Sequence, residues 1–139
     1  MLSEISIKEL AIKLQTTEVN ILREYFQHLF LSNLYQLKLT DNLAFKGGTA
    51  LRMIYGSPRF SEDLDFIGNI KIFHLKNILN KTVEKIKLEG INISISEAKK
   101  ISSGFLAIYE SKIYSLIIRC ELNISMRQKQ KKYLLKSIL

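Results

Sequence analysis

Phe45-Lys46-Gly47-Gly48-Thr49-Ala50-Leu51, with Arg59-Phe60-Ser61-Glu62-Asp63-Leu64-Asp65-Phe66 shortly after it, is the stretch on which the fold turns. Leu43-Ala44-Phe45 is a short apolar run that reads as a strand, and Gly47-Gly48 reads as a tight turn at its end. Thr49 to Tyr55 predicts a brief helix. It stops at Gly56-Ser57-Pro58, because proline disfavours the helical conformation of the residue before it. Leu64-Asp65-Phe66-Ile67 then has strand character and closes at Gly68-Asn69.

Side chains two apart on a strand point the same way, so Asp63 and Asp65 share one face while Leu64 and Phe66 share the other. Two carboxylates this close repel unless a cation or a proton lies between them. Their oxygens suit Mg²⁺, a hard ion that prefers carboxylates together with phosphate oxygens. Upstream, the Gly47-Gly48 turn brings backbone N–H groups near a phosphate, and the helix opening at Thr49 adds its positive dipole end. A third carboxylate comes from Ile118-Arg119-Cys120-Glu121-Leu122-Asn123-Ile124. Here Ile118, Cys120, Leu122 and Ile124 take one face and Arg119, Glu121 and Asn123 the other. If this strand lies beside the aspartate strand, Glu121 joins the cation site and Arg119 offsets nearby negative charge. Two Mg²⁺ ions ~3.5–4 Å apart would then clamp both oxygens of an in-line phosphoryl displacement. The reaction class would then be nucleotidyl transfer from a nucleoside triphosphate.

Outward from this centre the pattern is α+β, a mixed sheet with flanking helices. Leu10, Ala11 and Leu14 mark a short first helix, and Thr16-Thr17-Glu18 caps a long one running to about Leu37. His28 reads as packing within that helix, and His74 has no ligand-spaced partner. Leu75, Ile78, Leu79, Val83 and Ile86 outline a second long helix ended by Gly90. Ile91, Ile93 and Ile95 alternate as a strand, while Phe105–Tyr109 and Tyr114–Ile124 predict a hairpin turning at Ser111-Lys112. From Met126 onward, Arg127, Lys129, Lys131, Lys132 and Lys136 beside Leu134, Leu135 and Ile138 predict a final amphipathic helix. The chain therefore reads as one domain, with N-terminal helices over 1–40, a core over 41–125 and a basic helix over 126–139.

The 139 residues are 47% hydrophobic, with one proline and six glycines, which excludes disorder over most of the chain. A net charge of +8 favours polyanionic partners. Cys120 is the only cysteine, so no intrachain disulfide or multi-cysteine zinc site forms, in keeping with a reducing interior. No apolar run approaches the ~18 residues of a membrane helix, and no basic-then-apolar leader opens the chain. The expectation is a soluble, cytoplasmic protein.

Two glycines, a short helix and Asp-x-Asp on a strand resemble the polymerase-β-like nucleotidyltransferase superfamily. The fuller string, Lys46-Gly47-Gly48-Thr49-Ala50-Leu51 with Arg59, Ser61 and Asp63-Leu64-Asp65-Phe66, resembles the AbiEii/AbiGii-type toxins of type IV toxin–antitoxin and phage-abortive systems. Arg119-Cys120-Glu121 is a weaker second block. The resemblance implies that Asp63 and Asp65 bind Mg²⁺ with Glu121 as third acidic ligand. It also implies that Gly47, Gly48, Thr49 and Ser61 hold the triphosphate, with Arg59 and Arg119 completing the nucleotide-binding set. It implies transfer of a nucleotide to an RNA acceptor, tRNA in characterised relatives, and a cognate antitoxin. The third carboxylate is commonly Asp in such proteins and is Glu here. Family members usually continue into a helical region with further Lys, Arg and Asp motifs, and this sequence stops at Leu139. The expectation is thus a core without that region. The alternative is a non-catalytic module of the same fold that holds nucleotide or a partner without turnover.

Overall fold

The computed structural model describes residues 2–126. In chain order the elements are α1 (Glu4–Lys13), α2 (Glu18–Leu34), β1 (Leu43–Lys46), α3 (Gly47–Tyr55), β2 (Asp63–Gly68), α4 (Ile72–Leu88), β3 (Ile93–Ile101), β4 (Gly104–Ile113) and β5 (Leu116–Met126). The fold is α+β, as the alternating patterns predict. The expected helix over 126–139 lies outside the described residues apart from Met126, which ends β5 instead.

Both N-terminal helices start on hydroxyl caps: Ser3 Oγ accepts from the Ser6 N–H and Thr17 Oγ1 from the Asn20 N–H, each at 3.1 Å. Helix α2 stops at Leu34, a turn short of the expected Leu37. It buries Leu22, Phe26 and Phe30, while His28 is exposed, correcting its assignment to packing. Helix α4 ends where Gly90 takes φ +84°.

The five strands form one mixed sheet in the order β1-β2-β5-β4-β3. Strands β2 and β5 are parallel; the other neighbours are antiparallel. Helices α1, α2 and α4 join the buried face of the sheet in one core that includes Leu64, Phe66, Tyr109, Ile118 and Leu122. Phe30 of α2 stacks on Tyr109 of β4 with ring centroids 4.9 Å apart, tying the helix layer to the sheet. Leu64 and Phe66 are fully buried, each stabilising the fold by about 2–3 kcal/mol. A one-residue slip of β2 would drive Asp63 and Asp65 into that core. Burial of the two apolar residues therefore aims the two aspartates at the opposite face.

The β4–β5 hairpin turns at Tyr114-Ser115, with Ile113 paired to Leu116, rather than at Ser111-Lys112. Both turn residues have positive φ, +49° and +67°, the backbone of a two-residue turn that matches strand twist. Ser111 is buried instead, its hydroxyl donating to the Asn92 carbonyl. Strand β3 runs on to Ile101, past a register shift between Ile95 and Glu97.

Candidate active site

Strand β1 ends at Lys46, and Gly47 turns the chain into α3 with φ +83°. A Cβ on Gly47 would stand 2.5 Å from Asp65 Oδ2, so this position needs glycine for its backbone angle and for the approach of the carboxylate. A Cβ on Gly48 would meet Ser61 Oγ at 3.3 Å. The turn thus packs directly against β2 and the loop before it. Thr49 is buried and its hydroxyl donates to the Asp63 carbonyl, fixing the first turn of α3 to the first residue of β2.

Between α3 and the loop into β2 lies a cleft of about 620 Å³ whose lining includes Gly48, Leu51, Arg59, Phe60, Ser61 and Asp63. Arg52 braces its wall. The guanidinium donates to Glu24 of α2 and, at 2.9 Å, to the Ser57 carbonyl, and it lies 3.6 Å from the centroid of Phe60. From the other side, buried Gln27 of α2 donates to the Ser61 carbonyl at 2.9 Å. Cys120 Sγ donates to the Glu62 carbonyl at 3.2 Å. The backbone that presents Ser61, Glu62 and Asp63 is therefore held by α2, α3 and β5 together.

Strand pairing sets the carboxylates in rows. Asp63 is opposite Glu121, and Asp65 is opposite Asn123 on one side and Lys46 on the other. The parallel β2–β5 pairing thus puts Glu121 beside the aspartate strand, on the same face. Burial first, then the charges of Glu121, Asp65 and Glu62, push the Asp63 carboxyl above its usual range, against the opposing effect of Arg23. This excess of negative charge is the environment a divalent cation neutralises. Among the described residues, however, no three His, Cys, Asp or Glu side chains are gathered closely enough to enclose an ion by themselves. Mg²⁺ is ordinarily bound through one or two carboxylates plus substrate phosphates and water. The hard oxygen donors of Asp63 and Asp65, with Glu121 alongside, fit that requirement.

The residues predicted for nucleotide contact divide. Gly48, Arg59 and Ser61 line the large cleft, while Gly47 and Thr49 stand behind it as the turn and its anchor. Arg119 belongs, with Glu121, to a smaller cleft that shares Glu62 and Asp63 with the large one. Arg23, Gln27 and Arg52 escaped sequence reading, because helical spacing marks which face a residue takes and not which distant loop it meets.

Residues 29–136 match the family described as nucleotidyl transferase AbiEii toxin, type IV TA system. The chain belongs to the AbiEii nucleotidyltransferase toxin family. Two solved structures from Helicobacter pylori are similar to it. JHP933 is 28% identical with a TM-score of 0.57, over 83% of this chain and 48% of its own. A protein provisionally assigned as a nucleotidyltransferase is 29% identical with a TM-score of 0.58, over 84% of this chain and 49% of its own. The chain thus spans about half the length of these structures. No curated protein matches it. Among the described residues, no helix of this AbiEii-family chain is long and apolar enough to cross a membrane.

Proposed function

We propose that the chain carries the nucleotidyl-transfer centre of a type IV toxin, moving a nucleotide from a nucleoside triphosphate to an RNA acceptor, with tRNA the favoured substrate. The observation that carries the reading is the face shared by Asp63, Asp65 and Glu121 on parallel neighbouring strands, beside a cleft bounded by Gly48 and Ser61. The triphosphate lies in that cleft. Backbone N–H groups at the start of α3, the Ser61 hydroxyl and the Arg59 guanidinium donate to its phosphate oxygens. Leu51 and Phe60 supply an apolar wall for the base or sugar. Asp63 and Asp65 hold Mg²⁺, up to two ions, with Glu121 as the third acidic group; the metal supplies charge neutralisation at the phosphates. An acceptor hydroxyl oxygen bonds to the α-phosphorus, the bond to the β-phosphate oxygen breaks, and pyrophosphate leaves. The hydroxyl proton passes to a neighbouring carboxylate oxygen or water.

Family membership supports a cognate antitoxin as partner; a cytoplasmic setting and a phage-abortive role are part of the same proposal. The net charge of +8 supports a polyanionic acceptor. The test is transfer of radiolabel from each of the four α-labelled nucleoside triphosphates to total RNA. Wild type is expected to label RNA in an Mg²⁺-dependent manner, and Asp65→Asn to lose at least about a hundredfold in rate. Equal labelling by both removes the catalytic reading. Triphosphate binding without transfer favours a module that holds nucleotide without turnover.

A further inference from the structure

The large cleft is not the only cavity that Asp63 lines. A second, of about 250 Å³, is formed by Arg23, Glu62, Asp63, Ile108, Arg119 and Glu121, so Glu62 and Asp63 are a wall common to both. Its volume falls below the roughly 300–1,000 Å³ typical of whole small-molecule sites, whereas the first cleft lies within that range. The small cleft suits one end group of a larger ligand.

Arg23 is the unexplained member. Only 15% of its side chain is exposed, and it is held in place: Nε donates to the Arg119 carbonyl at 3.3 Å and Nη1 to Asn20 Oδ1 at 3.0 Å. Its ion-pair partner among the described residues is Glu62, 3.8 Å away and itself 77% exposed. Desolvating a guanidinium is costly without a close counter-charge. Nη2 makes no hydrogen bond among the described residues. A pre-positioned guanidinium whose Nη2 is unbonded among the described residues is well shaped to grip a phosphate. Arg23 also precedes the segment, 29–136, that matches the AbiEii family.

The geometry points to an acceptor subsite in which Arg23, with Arg119, grips the terminal phosphodiester of a single-stranded RNA across Asp63 from the triphosphate. This rests on the nucleotidyl-transfer reading. In-line displacement puts the attacking and leaving oxygens on opposite sides of the transferred phosphorus, and two clefts that share the wall of Glu62 and Asp63 can give each oxygen its own approach. The grip on phosphate positions the RNA end, and Glu121 lines the same cleft, beside the incoming hydroxyl.

Fluorescence anisotropy of the whole chain tests it with three probes: a short RNA bearing a free 3′-hydroxyl, a fluorescent ATP analogue and a Glu-rich peptide. Arg23→Gln is expected to weaken RNA binding about tenfold and to reduce the log K against log salt slope by about 0.7. Binding of the ATP analogue should stay within twofold. Arg119→Gln, at an exposed position, should weaken RNA in the same direction and serves if Arg23→Gln fails to fold. Undetectable RNA binding by wild type, or unchanged RNA affinity in the folded variants, overturns the proposal. So does a parallel loss for the ATP analogue, which would place Arg23 in the triphosphate site, or for the peptide, which would make the cleft a surface for an acidic protein. If the RNA results hold but wild type transfers no nucleotide, the transfer reading fails and the RNA-binding cleft stands.

Discussion

Replacing Gly47 by alanine perturbs two things at once, and Gly56 allows them to be separated. Both glycines have positive φ, +83° and +72°, so alanine at either costs about 1–2 kcal/mol of backbone strain. At Gly56 nothing lies within 4 Å of an added Cβ; at Gly47 the Cβ meets Asp65 Oδ2 at 2.5 Å. Unfolding entropy near 2.1 cal/mol/K per residue converts 1 kcal/mol to about 3–4 °C for a 139-residue chain. Gly56→Ala is therefore expected to lower Tm by about 3–8 °C while leaving triphosphate affinity and transfer unchanged well below its Tm. Gly47→Ala should lose at least as much stability and also swing the Asp65 carboxylate away. A displacement of about 1 Å costs on the order of a hundredfold in rate. Circular dichroism gives the two Tm values, and radiolabel transfer at least about 20 °C below both gives the rates. Equal transfer by the two variants would refute the link between the Gly47 turn and the placement of Asp65.

Gln27→Leu leaves the half-buried Ser61 carbonyl without its donor, a loss of about 1–3 kcal/mol, or roughly 3–10 °C in Tm; thermal melting checks it, and an unchanged Tm counts against the brace. Asp63 binds its proton more tightly folded than unfolded, so stability falls as pH rises from its ordinary 3.8 through the raised folded value. Asp63→Asn should then melt higher than wild type at pH 7 in chelator, with the gap closing below pH 3.8 and narrowing when Mg²⁺ is added. Burial pushes the Cys120 thiol up to about 11. Only about one part in a thousand is thiolate at pH 8, and iodoacetamide should modify the native protein more than about a hundredfold slower than an unburied cysteine.

The local geometry of the candidate site was legible because its signals are local. Asp63 and Asp65 alternate with Leu64 and Phe66, and the Gly47-Gly48 turn precedes them within one short segment. The alternation of Ile118 to Ile124 was equally plain, and the parallel pairing of β5 with β2 gives Glu121 its register opposite Asp63. What escaped depends on distant partners. Gln27 and Arg23 lie on a helix whose apolar spacing identifies its core face, yet their contacts fall 34 residues away at Ser61 and 96 residues away at Arg119. Tyr114-Ser115 carries neither glycine nor asparagine, so the turn has no sequence mark, and the pairing of β4 with β5 imposes the positive φ values. Side-chain reach is likewise invisible in a pattern: facing the same way did not bring three carboxylates around one point among the described residues.

A crystal grown with Mn²⁺ and a non-hydrolysable nucleoside triphosphate locates ligand and metal in one measurement. Anomalous density for Mn²⁺ is expected against Asp63 and Asp65, with the phosphates running along the N-terminal turn of α3 past Gly48 and Ser61. Phosphates bound elsewhere, with the two aspartates free of Mn²⁺, would contradict it.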